Sequence, residues 1–307
     1  MDLDRILQKA TQQNKVRIAI ASAEDFEVLE AVSLSIERNL ASFILFGARD
    51  KIQHIMKIHF SNLIDHDEVK IKHTESLADA ANQAVLSVKN GHAQVLMKGN
   101  IPTSMILKAV LNKENGLRSG KALSHVAAFQ IPSFNRLLFI TDPAMNIEPD
   151  LEQKVQIINN AVQIARATGV EVPKVAALAA VEVINPDMQA TLDAAALTQM
   201  NRRGQISNCI VDGPLALDIA ISVDAAEHKR ISSDVAGAAD ILLVPNLETG
   251  NVFYKSLIYF AKAKVGAVLA GAKAPIVLTS RADSAESKLY SLALAICSVN
   301  NKEMERK

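Results

Sequence analysis

The sequence lacks tryptophan and is poor in aromatic side chains, which make up 4% of its 307 residues. The bases of single-stranded nucleic acid stack on aromatic side chains, so the chain offers no such platform. Lysine plus arginine and aspartate plus glutamate both number 33, which gives a net charge of zero and no basic stripe for a duplex. We therefore expect no nucleic-acid partner.

Cysteine is also scarce. Cys209 and Cys297 cannot form a disulfide framework, and both lie in apolar segments, so we interpret them as small core residues. The amino terminus is polar and acidic at its start, without the apolar region of a signal peptide. The longest apolar stretch near the carboxyl end is interrupted by Lys273 and Pro275, so we expect no membrane span. These features predict a cytoplasmic protein.

Several catalytic motifs are absent. The stretch GLRSGKA, residues 116–122, looks like a phosphate-binding loop, but it is one residue short and has Ala122 where a hydroxyl should bind magnesium. No G-x-G-x-x-G follows the first strand, which argues against a Rossmann nicotinamide site. Without H-E-x-x-H or a Cys/His cluster we expect no metal, and without G-x-S-x-G no serine hydrolase.

Short apolar runs alternate with longer segments of helical period along the chain. The first run, Lys15–Ala21, reads as a buried strand, and the helix after it has Ser22 and Asp25 in capping-box spacing. The same unit repeats three more times before residue 111. This alternation predicts an α/β fold with parallel, doubly wound sheets that carry helices on both faces.

The length of 307 residues suggests two domains. The regular alternation of strand and helix patterns ends near Asn135. A strand that ends at Thr141 is followed by Asp142-Pro143 and a long helix. We place the crossover there, which gives a second domain of residues 142–271. The first domain comprises residues 1–141 plus 272–307, the latter assigned to it as a returning strand and helix. Short crossovers between two domains imply a cleft.

Ligands of open parallel sheets bind at the carboxyl ends of strands, so polar residues at those ends are candidates for ligand contacts. The stretch TSRADSAESK begins at Thr279, after the apolar run APIVL. Ser280 is placed to cap a helix starting near Ala282, whose free N–H groups favour an anion. Arg281 offers a planar fork that suits phosphate, and Asp283 follows in the first turn. A plain helix cap with an exposed arginine remains the alternative.

A second strand end carries Lys98 and Gly99, where the glycine allows close backbone approach. Thr103 and Ser104 then open a helix, which gives a second possible seat for an oxyanion. Capping of that helix without any ligand is the alternative reading.

Two further strand ends lie in the predicted second domain. Asp212 ends an apolar strand before Gly213-Pro214, and it forms either a turn or an acid/base group in a cleft. The stretch PNLETGN is richer in polar side chains than a turn requires, which favours function. Its polar side chains are those of Asn246, Glu248, Thr249 and Asn251.

Taken together, the segments MKGNIPTS, DGPLALD, VPNLETGN and TSRADSAESK resemble the phosphate acetyl/butyryltransferase family, most closely its butyryl branch. The likeness runs from about Val16 to Cys297, nearly the whole chain. The P-N-L-E-x-G-N and S-R segments are specific to the superfamily, and the MKG and SRADS wording indicates the butyryl or branched-chain branch.

This resemblance implies reversible transfer of a short or branched acyl group between coenzyme A and inorganic phosphate, with coenzyme A as substrate and no bound cofactor. It also implies two α/β domains around a cleft, as in the isocitrate and isopropylmalate dehydrogenases, and usually a homodimer. Ser280 and Arg281 match the active-site serine and arginine of the acetyl branch.

The chain departs from the acetyl branch at one position. The catalytic aspartate of that branch lies seven residues past the serine, where this chain has Ser287. Asp283 is the nearest acidic alternative, with Glu286 behind it and Asp212 farther away. Asp283 either transfers a proton or orients Arg281, and we favour orientation because a carboxylate beside an arginine and a helix start is a poor base.

The reaction that the resemblance implies needs a phosphate seat, donors for a tetrahedral oxyanion and a proton for the leaving thiolate. Since Cys209 has no evident activator, we favour a ternary complex over an acyl-cysteine. The competing hypotheses are a metal- and NAD-dependent hydroxy-acid dehydrogenase of the same two-domain fold and a non-catalytic protein that binds an acyl or phosphorylated metabolite.

Overall fold

A computed structural model of the protein describes residues 2–279 and 283–304. Contacts divide the chain into two compact units. The N-terminal unit comprises Asp4–Lys121 and Gly266–Lys307, and the central unit comprises Ala122–Val265 together with Met1–Leu3. Each unit is a mixed α/β structure, as the alternation in the sequence predicts.

The strands of the N-terminal unit lie in the order β3-β2-β1-β4-β11-β10. Their bounds are β1 Val16–Ala21, β2 Ala41–Gly47, β3 Val69–His73, β4 Val95–Lys98, β10 Lys264–Ala270 and β11 Ile276–Val277. All neighbours pair in parallel except β10 and β11, which are antiparallel. Every residue of β2 is buried, because a strand of a parallel sheet is covered on both faces.

Helices cover this sheet in pairs, with α2 packed on α11 and α4 packed on α5. The bounds are α1 Leu3–Thr11, α2 Phe26–Glu37, α3 Arg49–His59, α4 Leu77–Lys89, α5 Thr103–Val110 and α11 Ala285–Met304, with a 3₁₀ turn at Ser61–Leu63. Asp25 caps α2, since its carboxylate accepts the Val28 N–H at 3.1 Å. Ser22 lies outside this cap in a left-handed conformation with φ 63°. The predicted capping box from Ser22 is therefore wrong.

The strands of the central unit lie in the order β5-β6-β9-β7-β8. Their bounds are β5 Ser124–Gln130, β6 Leu138–Thr141, β7 Lys174–Leu178, β8 Ile210–Leu215 and β9 Ile241–Leu243. The helices are α6 Leu151–Thr168, α7 Gln189–Arg202, α8 Leu217–Ile221, α9 Val223–His228 and α10 Leu247–Tyr259. Strands β5 and β6 pair antiparallel, and the other neighbours pair in parallel.

The boundaries between the two units differ from the predicted domain boundaries, which fall after residues 141 and 271. The units change after Lys121 and after Val265. Strand β6 explains the first difference, because it pairs with β5 on one side and with β9 on the other. The change of rhythm at Asp142 therefore comes after two strands that already belong to the central unit.

Candidate functional site

The end of β4 carries a buried lysine. The side chain of Lys98 is 5% exposed, and its Nζ donates to the carbonyl of Thr279 at 3.1 Å and to that of Gly99 at 3.4 Å. Strands β4 and β11 bring the two segments together, since Met97 pairs with Val277. The structure thus joins two of the four strand ends that the sequence singled out.

Gly99 allows a close approach, but the neighbour is the chain itself. A Cβ at this position would lie 2.0 Å from the carbonyl oxygen of Ser22, so no other residue fits without movement. The N–H of Gly99 donates to the carbonyl of Ala21 at 2.9 Å, and that of Asn100 donates to Ser22 at 2.7 Å. The glycine therefore fixes the loop after β4 against the end of β1.

Thr103 and Ser104 lie in the first turn of α5, and both side chains are exposed. Pro102 precedes the helix and provides no side-chain cap. Ser104 also lines a groove of about 500 Å³ between α4 and α5, with Lys108 and Met105 farther along it. The two hydroxyls are thus accessible to a ligand at this helix start.

Helix α11 begins later than the sequence predicted. Its first residue is Ala285, and the Oγ of Ser284 accepts the N–H of Ser287 at 3.2 Å, so Ser284 acts as the cap. The predicted helix start near Ala282 is wrong, because α11 begins at Ala285 and the serine that caps it is Ser284. Ser280 and Arg281 themselves lie outside the described residues.

Asp283 precedes the helix and is half-buried. It therefore does not lie in the first turn of the helix, where the sequence analysis placed it, and that prediction is wrong. Its backbone carbonyl accepts a hydrogen bond from the Nζ of Lys288, whose side chain is 2% exposed. Glu286 lies in the first turn of α11 with its side chain exposed, and the hydroxyl of Tyr290 is 3.2 Å from its Oε1.

The PNLETGN segment opens α10 in the central unit, and Asn246 is its cap. The Oδ1 of Asn246 accepts the N–H of Thr249 at 3.0 Å and its hydroxyl at 2.7 Å. Capping therefore accounts for two of the polar residues, whereas Glu248 remains exposed and Asn251 half-buried. A Cβ at Gly250 would lie 2.8 Å from Pro143 Cα, so this glycine is required for close packing of α10 on the chain after β6.

Asp212 does not end its strand. It lies inside β8, which continues through Gly213 and a cis Pro214 to Leu215, and it pairs in register with Ala176 of β7. The side chain is half-buried. Glycine at position 213 lets the strand continue close to β7. A Cβ there would lie 2.7 Å from the carbonyl oxygen of Ala177, so a larger residue would not fit.

A buried carboxylate that the site predictions missed lies at Asp142, directly after β6. Its side chain is 3% exposed, and Oδ1 accepts the N–H groups of His125 at 3.2 Å, Ala144 at 3.0 Å and Met145 at 3.1 Å. Oδ2 accepts from the side chain of Asn146 at 2.5 Å. An aspartate followed by proline after an apolar run was its sequence signal, and the network orders the loop that contacts Gly250.

The predicted site residues thus divide between the units. Lys98, Thr103, Ser104 and Asp283 belong to the N-terminal unit, and Asp212, Asn246, Glu248 and Asn251 to the central unit. Within the first group, Lys98 donates to the carbonyl of Thr279, the residue that precedes Ser280 in the sequence. Within the second group, Asn246 is engaged in capping α10.

Neither thiol is activated. Burial raises the pKa of Cys209 to about 11 and that of Cys297 to about 11. In the part of the chain that the structure describes, no three His, Cys, Asp or Glu side chains come together as a metal site. No helix among those residues is long and apolar enough to cross a membrane.

Sequence comparison assigns the class of protein. Residues 2–296 match the family described as phosphate acetyl/butaryl transferase, and the chain belongs to that family. It is 58% identical over 297 residues to the "Probable phosphate butyryltransferase" of Bacillus subtilis (strain 168), which covers 97% of this chain and 98% of the relative. The resemblance inferred from the four segments is confirmed.

Structural comparison gives the same class. A branched-chain phosphotransacylase from Enterococcus faecalis V583 superposes with a TM-score of 0.80 at 37% identity, covering 92% of this chain and 99% of that one. A 4-hydroxythreonine-4-phosphate dehydrogenase from Klebsiella pneumoniae matches with a TM-score of 0.56 at 11% identity, over 93% of this chain and all (100%) of that one. The second likeness concerns the fold alone, and the predicted dehydrogenase-like α/β class is confirmed.

Proposed function

We propose that this protein is a phosphate acyltransferase that moves a butyryl-type acyl group reversibly between coenzyme A and inorganic phosphate. The carrying observation is the family match over residues 2–296, with 58% identity to a butyryltransferase-named relative. The dehydrogenase alternative has only a fold likeness at 11% identity in its favour. The binding-protein alternative has no specific observation to support it.

The acyl group is proposed to be a short straight or branched chain. The 58% identical relative is named for butyryl transfer, and the 37% identical structure is titled a branched-chain enzyme. The MKG and SRADS segments of the sequence also indicate the butyryl or branched-chain branch.

In the forward direction, a phosphate oxygen attacks the thioester carbonyl carbon and forms a new C–O bond. The tetrahedral oxyanion collapses, the C–S bond breaks, and the departing thiolate takes up the proton that hydrogen phosphate gives up, which yields free coenzyme A and acyl phosphate. We assign the phosphate seat to Ser280 and Arg281, because a guanidinium binds phosphate through two parallel hydrogen bonds. Holding both substrates together supplies much of the rate enhancement.

The other proposed substrate contacts are the polar residues at strand ends. The burial of Lys98 beside Thr279 supports its inclusion in this set. The exposure of the two hydroxyls in the first turn of α5 supports theirs. The full proposed set is Lys98, Thr103, Ser104, Asp212, Asn246, Glu248 and Asn251. Coenzyme A is a substrate here, and no resident cofactor is proposed.

Asp283 is proposed to orient Arg281 rather than to transfer a proton. It precedes α11 and is half-buried next to the segment that carries the arginine. Ser287, at the position of the acetyl branch's aspartate, has its amide N–H engaged by Ser284 Oγ at 3.2 Å.

A ternary complex is proposed because the thiols are poor nucleophiles. With a pKa of about 11, the half-buried Cys209 is almost entirely protonated near neutral pH. Cys297 is buried in α11 and has a pKa raised equally, to about 11. An acyl-cysteine intermediate would need a thiolate that neither residue supplies.

A homodimer is proposed, with α10 in the subunit interface. This helix has Gly250 as its one fully buried residue and exposes Val252 by 65% and Tyr259 by 64%, with Phe260 after it exposed by 86%. We propose that these three side chains form one apolar patch, because contiguous exposed apolar patches mark protein interfaces. A cytoplasmic location is proposed from the two free thiols and from the proposed use of coenzyme A.

The reaction is tested by measuring free thiol released from acetyl-, butyryl-, isobutyryl- and isovaleryl-CoA, with and without phosphate. We expect phosphate-dependent release that is fastest with a four- or five-carbon acyl group. Absence of release from every thioester would refute the transferase, and NAD reduction with a hydroxy acid and a divalent metal would support the dehydrogenase instead.

A further inference from the structure

A groove of about 180 Å³ lies between helix α3 and the edge strand β3 of the N-terminal unit, and we call it the α3–β3 groove. Its charged lining side chains are those of Arg49 and Lys57 in the helix and of Asp65 in the turn before the strand. Its apolar lining side chains are those of Met56, Leu63, Ile64, Val69 and Ile71. All of these residues belong to the N-terminal unit, and none is among the proposed substrate contacts.

The apolar floor of the α3–β3 groove follows from the periods of its two elements. Met56 lies two turns after Arg49 on the same face of α3. Val69 and Ile71 are two positions apart in β3, so they share one face of the strand. Met56 is 2% exposed, whereas Ile64 in the connecting turn is 42% exposed. The groove therefore has a packed apolar floor and is open to solvent on one side.

Arg49 is held in place at one end of this groove. Its Nη2 donates to the carbonyl of Ile71 at 3.0 Å, and its backbone N–H donates to Nδ1 of His73 at 3.3 Å. Because β3 is the last strand of the sheet, the carbonyl of Ile71 is available to a side chain. No carboxylate of the described residues forms an ion pair with Arg49. The strand thus orients the guanidinium without neutralising its charge.

The size and charge of the α3–β3 groove define the class of ligand. A cavity of about 150 Å³ in another protein holds benzene, so this groove suits a ligand of about six or seven non-hydrogen atoms. Two cations and one carboxylate line it, which leaves one net positive charge for a ligand to balance. An arginine fork pairs with a carboxylate through two parallel hydrogen bonds. A monocarboxylate of about four or five carbon atoms meets these requirements of size, charge and apolar surface.

We propose that the α3–β3 groove binds a short-chain monocarboxylate, with the carboxylate on Arg49 and the alkyl chain on Met56, Val69 and Ile71. Strand β3 lies three strands from β4, which is about 14 Å at ~4.8 Å per strand. The groove is therefore separate from the strand end that carries Lys98. The inference goes beyond the proposed function, because binding of the free acid here requires no acyl transfer.

An α-amino acid is the rival ligand, because Asp65 could accept its ammonium group. Asp65 precedes the start of β3, whereas Arg49 contacts Ile71 and His73 near the end of that strand. The two charges of an α-amino acid are borne on one carbon, so they cannot reach both ends of the groove. This separation favours the monocarboxylate.

The test follows the methyl resonance of Met56 in protein labelled with ¹³C at its methionine methyl groups, with Met56→Leu used for assignment. Isovalerate is titrated to about 20 mM, well above a Kd expected on the order of 1 mM. Saturating phosphate and coenzyme A are present, so that the proposed reaction site is occupied. Three further probes each change one feature. Acetate lacks the chain, 3-methylbutanol lacks the charge, and valine adds an ammonium group.

We expect isovalerate to shift the Met56 resonance in a saturable way, and Arg49→Gln to weaken its binding by about tenfold, as loss of a charged hydrogen bond implies. Asp65→Asn should tighten binding by about twofold, because it removes an opposing charge near the protein surface. Lys51→Gln is the matched control, since it removes an exposed cation of α3 that does not line the groove. Its Kd should stay within about twofold of wild type.

Absence of a Met56 shift up to the highest isovalerate concentration would overturn the inference, and so would equal affinity in Arg49→Gln and wild type. Binding of 3-methylbutanol as tight as that of isovalerate would overturn the carboxylate, and tighter binding of valine would assign the groove to an amino acid instead. If Arg49→Gln does not fold, the comparison of isovalerate with 3-methylbutanol in wild type decides. The measurement needs no turnover, so it holds even if the proposed acyl transfer fails.

Discussion

The two units bury lysine in different ways. In the central unit, Lys154 Nζ lies 2.5 Å from Asp193 Oδ2, and Gln189 donates to the other oxygen of that carboxylate at 2.8 Å. In the N-terminal unit, Lys98 and Lys288 direct their ammonium groups to backbone carbonyls. In the first arrangement a carboxylate neutralises the ammonium charge, whereas in the second the ammonium group holds a backbone carbonyl in place.

One lysine thus belongs to a structural ion pair, whereas the other two hold backbone carbonyls next in sequence to the stretch that we propose as the anion site. The Lys154–Asp193 pair, whose side chains are 6% and 10% exposed, is electrically closed and exerts little attraction on a distant ligand. Ser280 and Arg281 belong to the unit that holds Lys98 and Lys288. Anion binding should therefore depend on the N-terminal unit, and the stability of the central unit on its closed pair.

The largest effect on catalysis is expected at Arg281. Arg281→Ala should leave less than about a tenth of the turnover at saturating phosphate, because a charged hydrogen bond is worth ~1.5–3 kcal/mol. Arg281→Lys should restore little, since an ammonium lacks the planar fork. Steady-state kinetics with butyryl-CoA and varied phosphate measure both variants. Turnover above that level in Arg281→Ala would remove the arginine from the proposed phosphate seat.

The Lys154–Asp193 ion pair is tested by measuring the free energy of unfolding rather than the rate of the reaction. Lys154→Met should destabilise the protein by about 3–5 kcal/mol, because it leaves Asp193 buried without its partner. The double variant Lys154→Met/Asp193→Leu should recover most of that loss. Urea unfolding followed by circular dichroism measures both, and a single variant as stable as wild type would show that the pair is not buried in solution.

A change in phosphate affinity is expected at Asp283. If Asp283 orients Arg281, Asp283→Asn should weaken phosphate binding several-fold and leave the pH–rate profile unchanged, because no proton transfer is lost. If it is the proton-transfer group, the rate should fall by about 10²-fold with loss of one limb of that profile. The profile of kcat between pH 6 and 9 separates the two, and a lost limb with wild-type phosphate affinity would contradict orientation.

A smaller kinetic effect than at Arg281 is expected for Lys98→Ala. Removing the donor to Thr279 should raise the KM for phosphate, because the end of β4 loses its hydrogen bond to the residue that precedes Ser280. Lys70→Ala, at an exposed position of the edge strand β3, is the control and should leave this KM unchanged. Equal Michaelis constants in Lys98→Ala and wild type, for both phosphate and acyl-CoA, would exclude a role for Lys98 in binding.

Many strands and helix starts could be predicted from the sequence, because each depends on residues close together in the chain. Alternating apolar runs indicated the strands that were named, and the start of α10 was predictable from residues within one turn of each other. The burial of Lys98 was not predictable, since it depends on Thr279, which is 181 positions away. The start of α11 was missed because Ser280 and Ser284 are both good caps, and only the backbone path selects Ser284. Strand β5 was overlooked between two loops.

The smallest effect on turnover is expected at the thiols. Their substitution tests whether the reaction uses a ternary complex or an acyl-cysteine intermediate. Cys209→Ala should keep wild-type kcat and KM, because a thiol with a pKa of about 11 supplies almost no thiolate at pH 7–8. Its pKa is raised by burial, so folding favours the protonated thiol. The resulting stability is present below the unfolded pKa, near 9, and is lost as the pH rises through about 11. Cys209→Ala should thus unfold with less pH dependence than wild type between pH 9 and 11. Intersecting initial-rate lines for varied phosphate and acyl-CoA should accompany normal turnover, whereas parallel lines with an inactive Cys209→Ala would establish an acyl-cysteine route.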